Sequence, residues 1–332
     1  MRPYQTLLAQ AATDLGGAFT LDPVFRHLGQ LTDPTGRTSP VFGNAIGLNS
    51  DAASTLAADK TYAAQLLAAA GLPTPPGCLV MSDRFIAGLA LKNRDVAAAI
   101  DNRRTLDAFL SHADFPVFIK PNRGSEGAGV SRIPDRATLD TGLDALLATE
   151  THVRVEQAVP GHDYRILVLD GAVRIAYRRD PFSVTGDGHS TIDQLLQTAL
   201  ALLAKQHRGA KLPASDPRID AALSRQSLTR DLIPARCQPV TLLDNANLST
   251  GGTLKDITDS LPPAAAQMAI KAATMLGLRL AGVDILATDL TNPTLLEVNS
   301  APGLDFYAAT GETQNARAGA LLFDALTALW TV

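Results

Sequence analysis

The chain of 332 residues is long enough to form a buried core in more than one lobe. Hydrophobic residues make up 46% of the chain and charged residues 19%, which excludes a disordered or fibrous protein. The net charge is −4 and there is no long basic run to neutralise phosphates, so we expect neither nucleic-acid nor membrane-surface binding.

Cysteine content and the distribution of apolar residues bear on the compartment. The two cysteines, Cys78 and Cys237, lie far apart and have no companions at metal-ligand spacing. We therefore expect no disulfide framework and a reducing compartment. Residues 1–8 lack the apolar core of a signal peptide, and no apolar run approaches the length that crosses a bilayer. These features predict a soluble cytoplasmic protein.

The first part of the chain is predicted to be irregular and then helical. Residues 1–49 mix short apolar stretches with Gly and Pro and indicate a small, irregular N-terminal region. The alanine-rich stretch 51–70 predicts a helix that is ended by Gly71 and Pro73. A second, polar stretch predicts a helix over residues 96–112.

The middle and end of the chain are predicted to combine antiparallel hairpins with helices. The elements predicted around a glycine-rich loop at 122–129 are a strand (115–120), a return strand (130–133), a helix with Asp135 near its N-cap (135–149) and a strand (153–159). Two strands (164–169 and 172–178) are predicted next, joined by the turn Asp170–Gly171, and helical segments follow up to about residue 224. The last predicted elements are a helix (262–277) and two strands (280–287 and 295–299). This mixture favours an α+β fold over a doubly wound sheet.

The segment FIKPNRGSEGAGV combines a lysine with a glycine-rich loop. Lys120 ends the strand and precedes Gly124, Gly127 and Gly129. Glycines let backbone N–H groups approach phosphate oxygens closely, and the lysine supplies a cation. The lysine comes before the glycines, so the spacing is not that of a P-loop. Taken alone, a loop of this kind is more often an ordinary turn.

The last predicted hairpin carries oxygen donors suited to a metal ion. Side chains alternate along a strand, so Glu297 and Asn299 face the same side, and Asp284 joins them if the two strands pair. Two carboxylates and an amide oxygen suit magnesium, which commonly keeps waters and substrate phosphates as its other ligands. The alternative is a solvated acidic sheet face, which the apolar neighbours of these residues disfavour.

Two further groups of residues suit the recognition of a nucleotide and an anion. Residues 156–159 lead into a bend that can offer backbone groups to an adenine edge, with Asp163 placed to accept hydrogen bonds from ribose. Arg165, Arg178 and Arg179 lie on the following hairpin, and guanidinium groups bind phosphate or carboxylate bidentately. Exposed strand or surface positions are the alternative for these residues.

In this order, the motifs resemble the ATP-grasp superfamily over roughly residues 49–303. Lys60 resembles its first nucleotide-contacting lysine, Lys120 the second, and the loop 124–129 its mobile phosphate-covering loop. The stretches DYRILV to GDGHSTI (163–192) and NANLSTGGT (245–253) are similar to the ATP-grasp domain of cyanophycin synthetases and of bifunctional glutathione synthetases.

The resemblance implies an α+β ATP-grasp fold in which two subdomains clasp ATP. The implied divisions are a short N-terminal region (1–50), a helical lead-in (51–112), a lid subdomain (113–160) and a large subdomain with the metal and substrate site (161–332). The implied ATP-binding residues are Lys60, Lys120, Gly124, Ser125, Gly127, Gly129, Glu156, Gln157, Ala158, Val159 and Asp163. The implied metal ligands are Asp284, Glu297 and Asn299, and the implied catalytic residues are Arg165, Arg178, Arg179 and Asn247.

The resemblance also implies a ligase that uses ATP and Mg²⁺, with Mn²⁺ as a substitute. It phosphorylates a carboxylate and couples the acyl phosphate to an amine of an amino acid or peptide. The alternatives are a kinase that releases a phosphorylated product and a non-catalytic nucleotide-binding module. Partners are expected to be small-molecule or peptide substrates, and a homodimer is compatible with the class.

Two features depart from the family pattern. The chain ends soon after Gly303, without the second catalytic half of cyanophycin synthetases, so we do not expect polymer synthesis by two alternating sites. Glu126 also puts a negative charge into the loop expected to cover the phosphates.

Overall fold

The computed structural model describes residues 1–124, 127–205 and 212–331. The helices are α1 (Pro3–Asp14), α2 (Asp51–Ala58), α3 (Lys60–Ala69), α4 (Asp83–Ala90), α5 (Arg94–Ala98), α6 (Asn102–Leu110), α7 (Arg136–Leu147), α8 (Ile192–Lys205), α9 (Pro217–Arg225), α10 (Pro263–Met275), α11 (Asp305–Ala308) and α12 (Glu312–Trp330). The strands are β1 (Ala18–Leu21), β2 (Leu28–Thr32), β3 (Thr38–Phe42), β4 (Gly77–Met81), β5 (Val117–Pro121), β6 (Ser131–Ile133), β7 (His152–Gln157), β8 (His162–Leu169), β9 (Ala172–Asp180), β10 (Ser183–Thr185), β11 (Pro239–Thr241), β12 (Thr253–Asp256), β13 (Leu280–Ala287) and β14 (Thr294–Asn299).

The chain forms two compact units, and the division falls within β8 and β9. The first unit contains Met1–Gly161, Arg165–Ala176 and the residues from Thr258 onward. The second contains His162–Tyr164 and Tyr177–Ile257. No helix in the described part of the chain has the length and apolar character needed to cross a membrane.

Antiparallel strand pairs recur in the sheets of the chain. One sheet has the order β1-β2-β3 and another the order β4-β7-β5-β6. A further sheet has the order β12-β9-β8-β13-β14. Strand β12 pairs with the Tyr177–Asp180 end of β9, and both β12 and this end of β9 belong to the second unit. Helices and antiparallel sheets thus mix along the chain, and the expected α+β class is confirmed.

The expectation of an irregular N-terminal region is wrong. Residues 1–49 form α1 and a three-stranded antiparallel sheet. Helix α1 packs against α12, at the opposite end of the chain, and buries Tyr4 and Leu8. Most of the stability of such a helix comes from packing on a partner that is distant in sequence, so its own residues give only a weak helix prediction.

The predicted helix over residues 51–70 is two helices. Asp59 has an extended backbone between α2 and α3, and its carboxylate accepts the Tyr62 N–H at 3.1 Å as the N-cap of α3. The predicted helix over residues 96–112 is likewise divided into α5 and α6. Strand β4 and helix α4 were not predicted, nor were α11 and α12.

Several local predictions are confirmed. Strand β6 returns antiparallel to β5 with Val117 opposite Ile133, and Asp135 caps α7 by accepting the Thr138 N–H at 2.8 Å. Asp170 and Gly171 both have positive φ, 46° and 76°, as a two-residue hairpin turn requires.

Each unit has an apolar core of its own. In the first, the face of β5 and β7 that carries Val117, Ile119, Val153 and Val155 packs on helix α7. In the second, α8 and α9 pack on β10 and β11 around Ile192, Leu196, Ile219 and Val240. The opposite face of β5 and β7 carries the charged side chains of Lys120, Arg154 and Glu156, which belong to the candidate site.

Candidate functional site

Lys60 begins α3 and reaches both the glycine-rich loop and the last hairpin. Its Nζ donates to the Gly124 carbonyl at 2.7 Å and lies 3.7 Å from Glu297 Oε2. Its side chain is only 12% exposed. Burial lowers the pKa of Lys60, the Glu297 carboxylate opposes this shift, and the like charge of Lys120 adds to it. The two lysines predicted from sequence therefore act electrostatically on each other within the first unit.

Asn122 fixes the start of α3 against the end of β5. Its Oδ1 accepts the Thr61 N–H at 3.0 Å and the Thr61 hydroxyl at 2.7 Å, and its carbonyl accepts the Lys60 N–H at 3.1 Å. Thr61 and Asn122 are 3% and 2% exposed. The backbone of Lys60 is thus held directly beside the strand that carries Lys120.

The loop glycines adopt backbone conformations that other residues avoid. Gly124, Gly127 and Gly129 have φ of 137°, 71° and 69°. A Cβ on Gly129 would also lie 2.9 Å from Pro121 Cγ, so this turn passes close to the end of β5. Ser125, predicted to bind ATP, and Glu126 lie outside the described residues.

Lys120 and Glu156 form a buried cluster with Arg154 on the polar face of β5 and β7. In the antiparallel register Lys120 is opposite Arg154 and Phe118 is opposite Glu156, so alternation brings all four side chains to one face. The Lys120 ammonium donates to Glu156 Oε1, and Arg154 Nε donates to Glu156 Oε2 at 2.8 Å. All three charged residues are buried: Lys120 is 5% exposed, Arg154 3% and Glu156 4%.

Residues 156–159 end β7 and lead into a tight bend. The Gln157 N–H donates to the Pro76 carbonyl at 2.9 Å and the Ala158 N–H to the Pro116 carbonyl at 3.3 Å. At the end of the bend, Gly161 has φ of 142°, and a Cβ there would lie 2.6 Å from the Ala287 backbone. Strand β13 therefore passes too close to Gly161 for any side chain.

The expected pairing of the last two strands is confirmed, and it brings the oxygen donors together. Asp284 lies opposite Glu297, and Asn299 Nδ2 donates to Glu297 Oε1 at 3.2 Å. The register shifts directly after Asp284, where Leu296 is the extra residue of a β-bulge. Bulges re-aim side chains next to functional sites, and this one adjoins the acidic pair.

Arg165 binds the more deeply buried of the two carboxylates. Its Nε and Nη2 donate to Asp284 Oδ1 and Oδ2, each at 2.6 Å, in a bidentate ion pair. Asp284 is 2% exposed. A cation therefore lies beside each acid, with Arg165 at Asp284 and Lys60 at Glu297.

The residues present fit a magnesium ion by their chemistry. Asp284, Glu297 and Asn299 supply hard oxygen donors from one hairpin, as this ion prefers. Clusters of three or more His, Cys, Asp or Glu side chains at metal-binding distance are absent from the described part of the chain. A site at this hairpin would consequently combine two carboxylates with the amide oxygen.

The remaining predicted residues lie in the second unit. Arg179 Nε and Nη2 donate to Asp163 Oδ1 at 2.9 and 2.6 Å, whereas Arg178 donates to Asp180 at 3.0 Å. Neighbouring strand residues face opposite sides, so Arg178 and Arg179 do not share a face. The Asn247 carbonyl accepts the Thr250 and Gly252 N–H groups at 3.2 and 3.1 Å.

The Asn247 turn is closed by two glycines that tolerate no side chain. Gly251 has φ of 103°, and a Cβ on it would lie 2.8 Å from Leu203 and from Phe182. A Cβ on Gly252 would lie 2.8 Å from the Asp180 carbonyl oxygen. The chain therefore folds back closely on β9 at this turn.

Two polar residues of the site were missed from sequence. Arg154 is two positions before Glu156 in β7, with a valine on each side of it, and period-two alternation could have placed both charges on one face. Asn122 follows Lys120 by two residues, but its role depends on α3, which is distant in sequence. No local signal identifies it.

Comparison with known proteins assigns part of the chain to a described domain. Residues 244–318 match the model of the RimK-like ATP-grasp domain. The cyanophycin synthetase of Geminocystis herdmanii is 30% identical over 77% of this chain and 29% of its own length. The glutathione biosynthesis bifunctional protein GshAB of Listeria monocytogenes is 27% identical over 75% of this chain and 34% of its own length. The chain thus corresponds to about a third of these relatives or less.

Solved structures resemble the fold at low sequence identity. The bifunctional glutathione synthetase from Pasteurella multocida covers 98% of this chain, with a TM-score of 0.58 and 22% identity, and 43% of that protein is matched. The D-alanine–D-alanine ligase from Bacillus anthracis covers 85% of this chain, with a TM-score of 0.52 and 16% identity, and 71% of that protein is matched.

Proposed function

The chain has the ATP-grasp fold and a sequence match to the RimK-like ATP-grasp domain, and from this premise we propose that it is an ATP-dependent carboxylate–amine ligase. The activity is ATP-dependent phosphorylation of a carboxylate, followed by coupling to an amine of an amino acid or peptide. The observation that carries the proposal is the position of Lys60, whose Nζ lies 3.7 Å from Glu297 Oε2 and donates to the Gly124 carbonyl of the glycine-rich loop at 2.7 Å.

The polar face of the first unit suits a triphosphate. Lys60 and Lys120 supply cations, and the positive-φ glycines of the loop let backbone N–H groups approach phosphate oxygens. Within the protein, Lys60 donates to the Gly124 carbonyl and Lys120 donates to Glu156. On binding, the Lys60 ammonium would exchange the Gly124 carbonyl for phosphate oxygens, whereas Lys120 would keep Glu156 and offer its other N–H groups to phosphate.

Asp284, Glu297 and Asn299 would hold magnesium, which when bound neutralises charge on the triphosphate. Arg165 and Lys60 lie beside the two carboxylates and balance their charge. Because Arg165 already contacts Asp284 through two of its three guanidinium nitrogens, we propose that it stays at the edge of the reacting groups. There its guanidinium group would stabilise an oxyanion.

The reaction has two steps, each of which the chain assists by position and charge. A substrate carboxylate oxygen attacks the γ-phosphorus, the bond to the bridging oxygen breaks, and ADP leaves. The amine then attacks the acyl phosphate carbon, the amide forms, and phosphate departs with the bonding electrons while the amine loses a proton. Lysine and arginine cations stabilise the charge that develops, and the glycine-rich loop limits access of water to the acyl phosphate.

Further residues would bind the nucleotide base, the ribose and the substrate. We propose that the adenine edge is bound by Glu156 and by the backbone of Gln157, Ala158 and Val159. The ribose is proposed to bind Asp163. Arg178 or Arg179 and Asn247 are proposed to contact the acyl phosphate and substrate. Substrates are proposed to be small molecules or peptides, with a homodimer and a cytoplasmic location as further expectations.

The decisive assay is phosphate release from ATP in the presence and absence of added amino acids and short peptides. A ligase releases phosphate only with its amine present and yields a new amide detectable by mass spectrometry. A kinase yields a stable phosphorylated product, and a non-catalytic module binds nucleotide without turnover. Product analysis separates the three classes in one experiment.

Glu297→Gln tests the same proposal at the metal site. It keeps the shape of the side chain but removes a charge, and we expect turnover to fall by about two to three orders of magnitude. Glu312→Gln, a matched change at an exposed position on α12, should leave turnover unchanged. Near-normal ATP use by the Glu297 variant would refute the metal assignment.

A further inference from the structure

The cluster of Lys120, Arg154 and Glu156 contains a second cation, Arg154, in addition to the lysine proposed to bind the nucleotide. One carboxylate is shared by two cations, and all three groups are buried. Each Glu156 oxygen accepts from one of them, Oε1 from Lys120 and Oε2 from Arg154. Two positive charges against one negative charge leave the cluster with an excess of one positive charge in a poorly solvated site.

Arg154 is held at both ends of its guanidinium group. Nε donates to Glu156 at 2.8 Å, and Nη2 donates to the Pro75 carbonyl at 3.0 Å, ahead of β4. The guanidinium crosses Gly77, where a Cβ would lie 3.1 Å from Arg154 Cζ and 3.0 Å from Glu156 Cβ. The missing side chain of Gly77 is what gives Arg154 room to reach Pro75.

Fixing Arg154 in this way also fixes the two residues beyond it. A lysine side chain is a flexible stem with a rotatable head, so Lys120 has a defined position only if its carboxylate partner has one. Glu156 is restrained by Arg154, whose rigid fork is anchored to the backbone at Pro75. The chain of contacts therefore runs from Pro75 through Arg154 and Glu156 to Lys120.

We propose that Arg154 is a positioning residue for nucleotide binding, which orients Lys120 through Glu156 and leaves the cluster with net positive charge for a phosphate group. This inference depends on the proposed function, because it assigns Lys120 to the bound nucleotide. Arg154 itself contacts Glu156 and Pro75 and acts on the nucleotide only through Lys120.

The test is a double-mutant cycle on ATP affinity, measured by isothermal titration calorimetry with Mg²⁺ present. The variants are Arg154→Met, Lys120→Met and the combination, in the full chain, with melting curves to verify folding. We expect Arg154→Met to weaken ATP binding about tenfold in the parent chain and less than about twofold when Lys120 is already Met. Arg103→Met, a change at a side chain 91% exposed on α6, is the control and should bind ATP normally.

Arg154→Lys is the conservative variant and covers the case in which Arg154→Met does not fold. It keeps the charge but has no fork to span Glu156 and Pro75, so we expect an ATP affinity between those of the parent and Arg154→Met, again only with Lys120 intact.

A normal ATP affinity in the Arg154 variants, or an equal loss with and without Lys120, would overturn the positioning role. If the parent chain binds no ATP, the proposed function fails as well. If Lys120→Met weakens binding while the Arg154 variants bind normally, only the role of Arg154 fails.

Discussion

Buried carboxylates in this protein are matched by arginine. Asp284, at 2% exposure, takes two hydrogen bonds from Arg165, and Glu156, at 4%, takes one from Arg154. The pair of Arg165 and Asp284 could not be predicted from sequence, because it requires the strand order that only the folded sheet defines. Alternation along β7, in contrast, could have placed Arg154 and Glu156 on one face. The residue types alone predicted a polar site, but they did not predict which residues form ion pairs with each other.

Removing Arg165 should destabilise the fold as well as affect the site. In Arg165→Met, Asp284 loses both guanidinium bonds while remaining buried, and we expect the free energy of unfolding to fall by about 3 kcal/mol. Urea denaturation measures this. Combining the change with Asp284→Asn removes the buried charge and should restore part of the loss. A single variant as stable as the parent would show that the pair does not form in solution.

The two cysteines should differ in reactivity. Cys78 lies in the core of the first unit, and burial raises the pKa of its thiol from 9.0 to about 11, whereas Cys237 is exposed. At pH 8 we expect a thiol reagent to modify one cysteine in the native protein and both after denaturation, because the thiolate is the reacting form. Cys237→Ser should abolish the native reaction. Rapid modification of Cys78 would contradict its burial.

The same raised pKa gives a pH dependence of stability. Between about pH 9 and pH 11 the unfolded chain releases the Cys78 proton while the folded chain retains it. The contribution of Cys78 to stability is therefore complete below pH 9 and falls as pH rises through this window. Cys78→Ala should show a shallower loss of stability over that range than the parent chain in denaturant titrations.

At the scale of elements, the junction between β5 and α3 determines where the first lysine lies. Helix periodicity predicted one helix over residues 51–70, since alanine-rich sequence continues across Asp59. The break has a local and a tertiary cause: Asp59 caps α3 by accepting the Tyr62 N–H, and Asn122, distant in sequence, accepts the Thr61 N–H. Hairpins were predicted well, because the turn at Asp170–Gly171 is specified by adjacent residues.

Asn122→Ala tests this junction. It removes the acceptor for the Thr61 N–H and hydroxyl groups, both buried, and we expect a loss of about 2 kcal/mol in the free energy of unfolding. Because the Lys60 backbone is held beside Asn122, ATP affinity should fall as well. Asn292→Ala, in the exposed turn before β14, is the matched control. Unchanged stability in Asn122→Ala would show that α3 is held by other contacts.

At the scale of the whole molecule, the two ends of the first unit's chain depend on each other. Helix α1 packs on α12, Arg2 pairs with Asp305 at 3.2 Å, and the Tyr4 N–H donates to Asp305 Oδ1 at 2.9 Å. Asn49 Nδ2 also donates to the Leu280 and Ser300 carbonyls at 2.7 Å. The N-terminal region was predicted to be irregular because the apolar surface that stabilises it lies about 300 residues away in sequence.

Deletion of residues 1–49 should therefore impair folding even though no predicted site residue lies there. The deletion removes the packing of α1 on α12, a helix whose buried residues include Leu321, Leu322 and Leu326. We expect a truncated chain that aggregates or melts at a markedly lower temperature than the full chain. A soluble truncation with the parent melting temperature would refute the dependence.

The most direct test of the central claim is calorimetric titration of the parent chain, Lys60→Met and Lys120→Met with ATP and Mg²⁺. Lys92→Met, a change at an exposed position, is the control. We predict saturable binding to the parent and control chains and at least about tenfold weaker binding to both lysine variants, because each loses a cation proposed to meet the triphosphate. Equal affinity in all four proteins, or no binding to the parent chain, would contradict the claim.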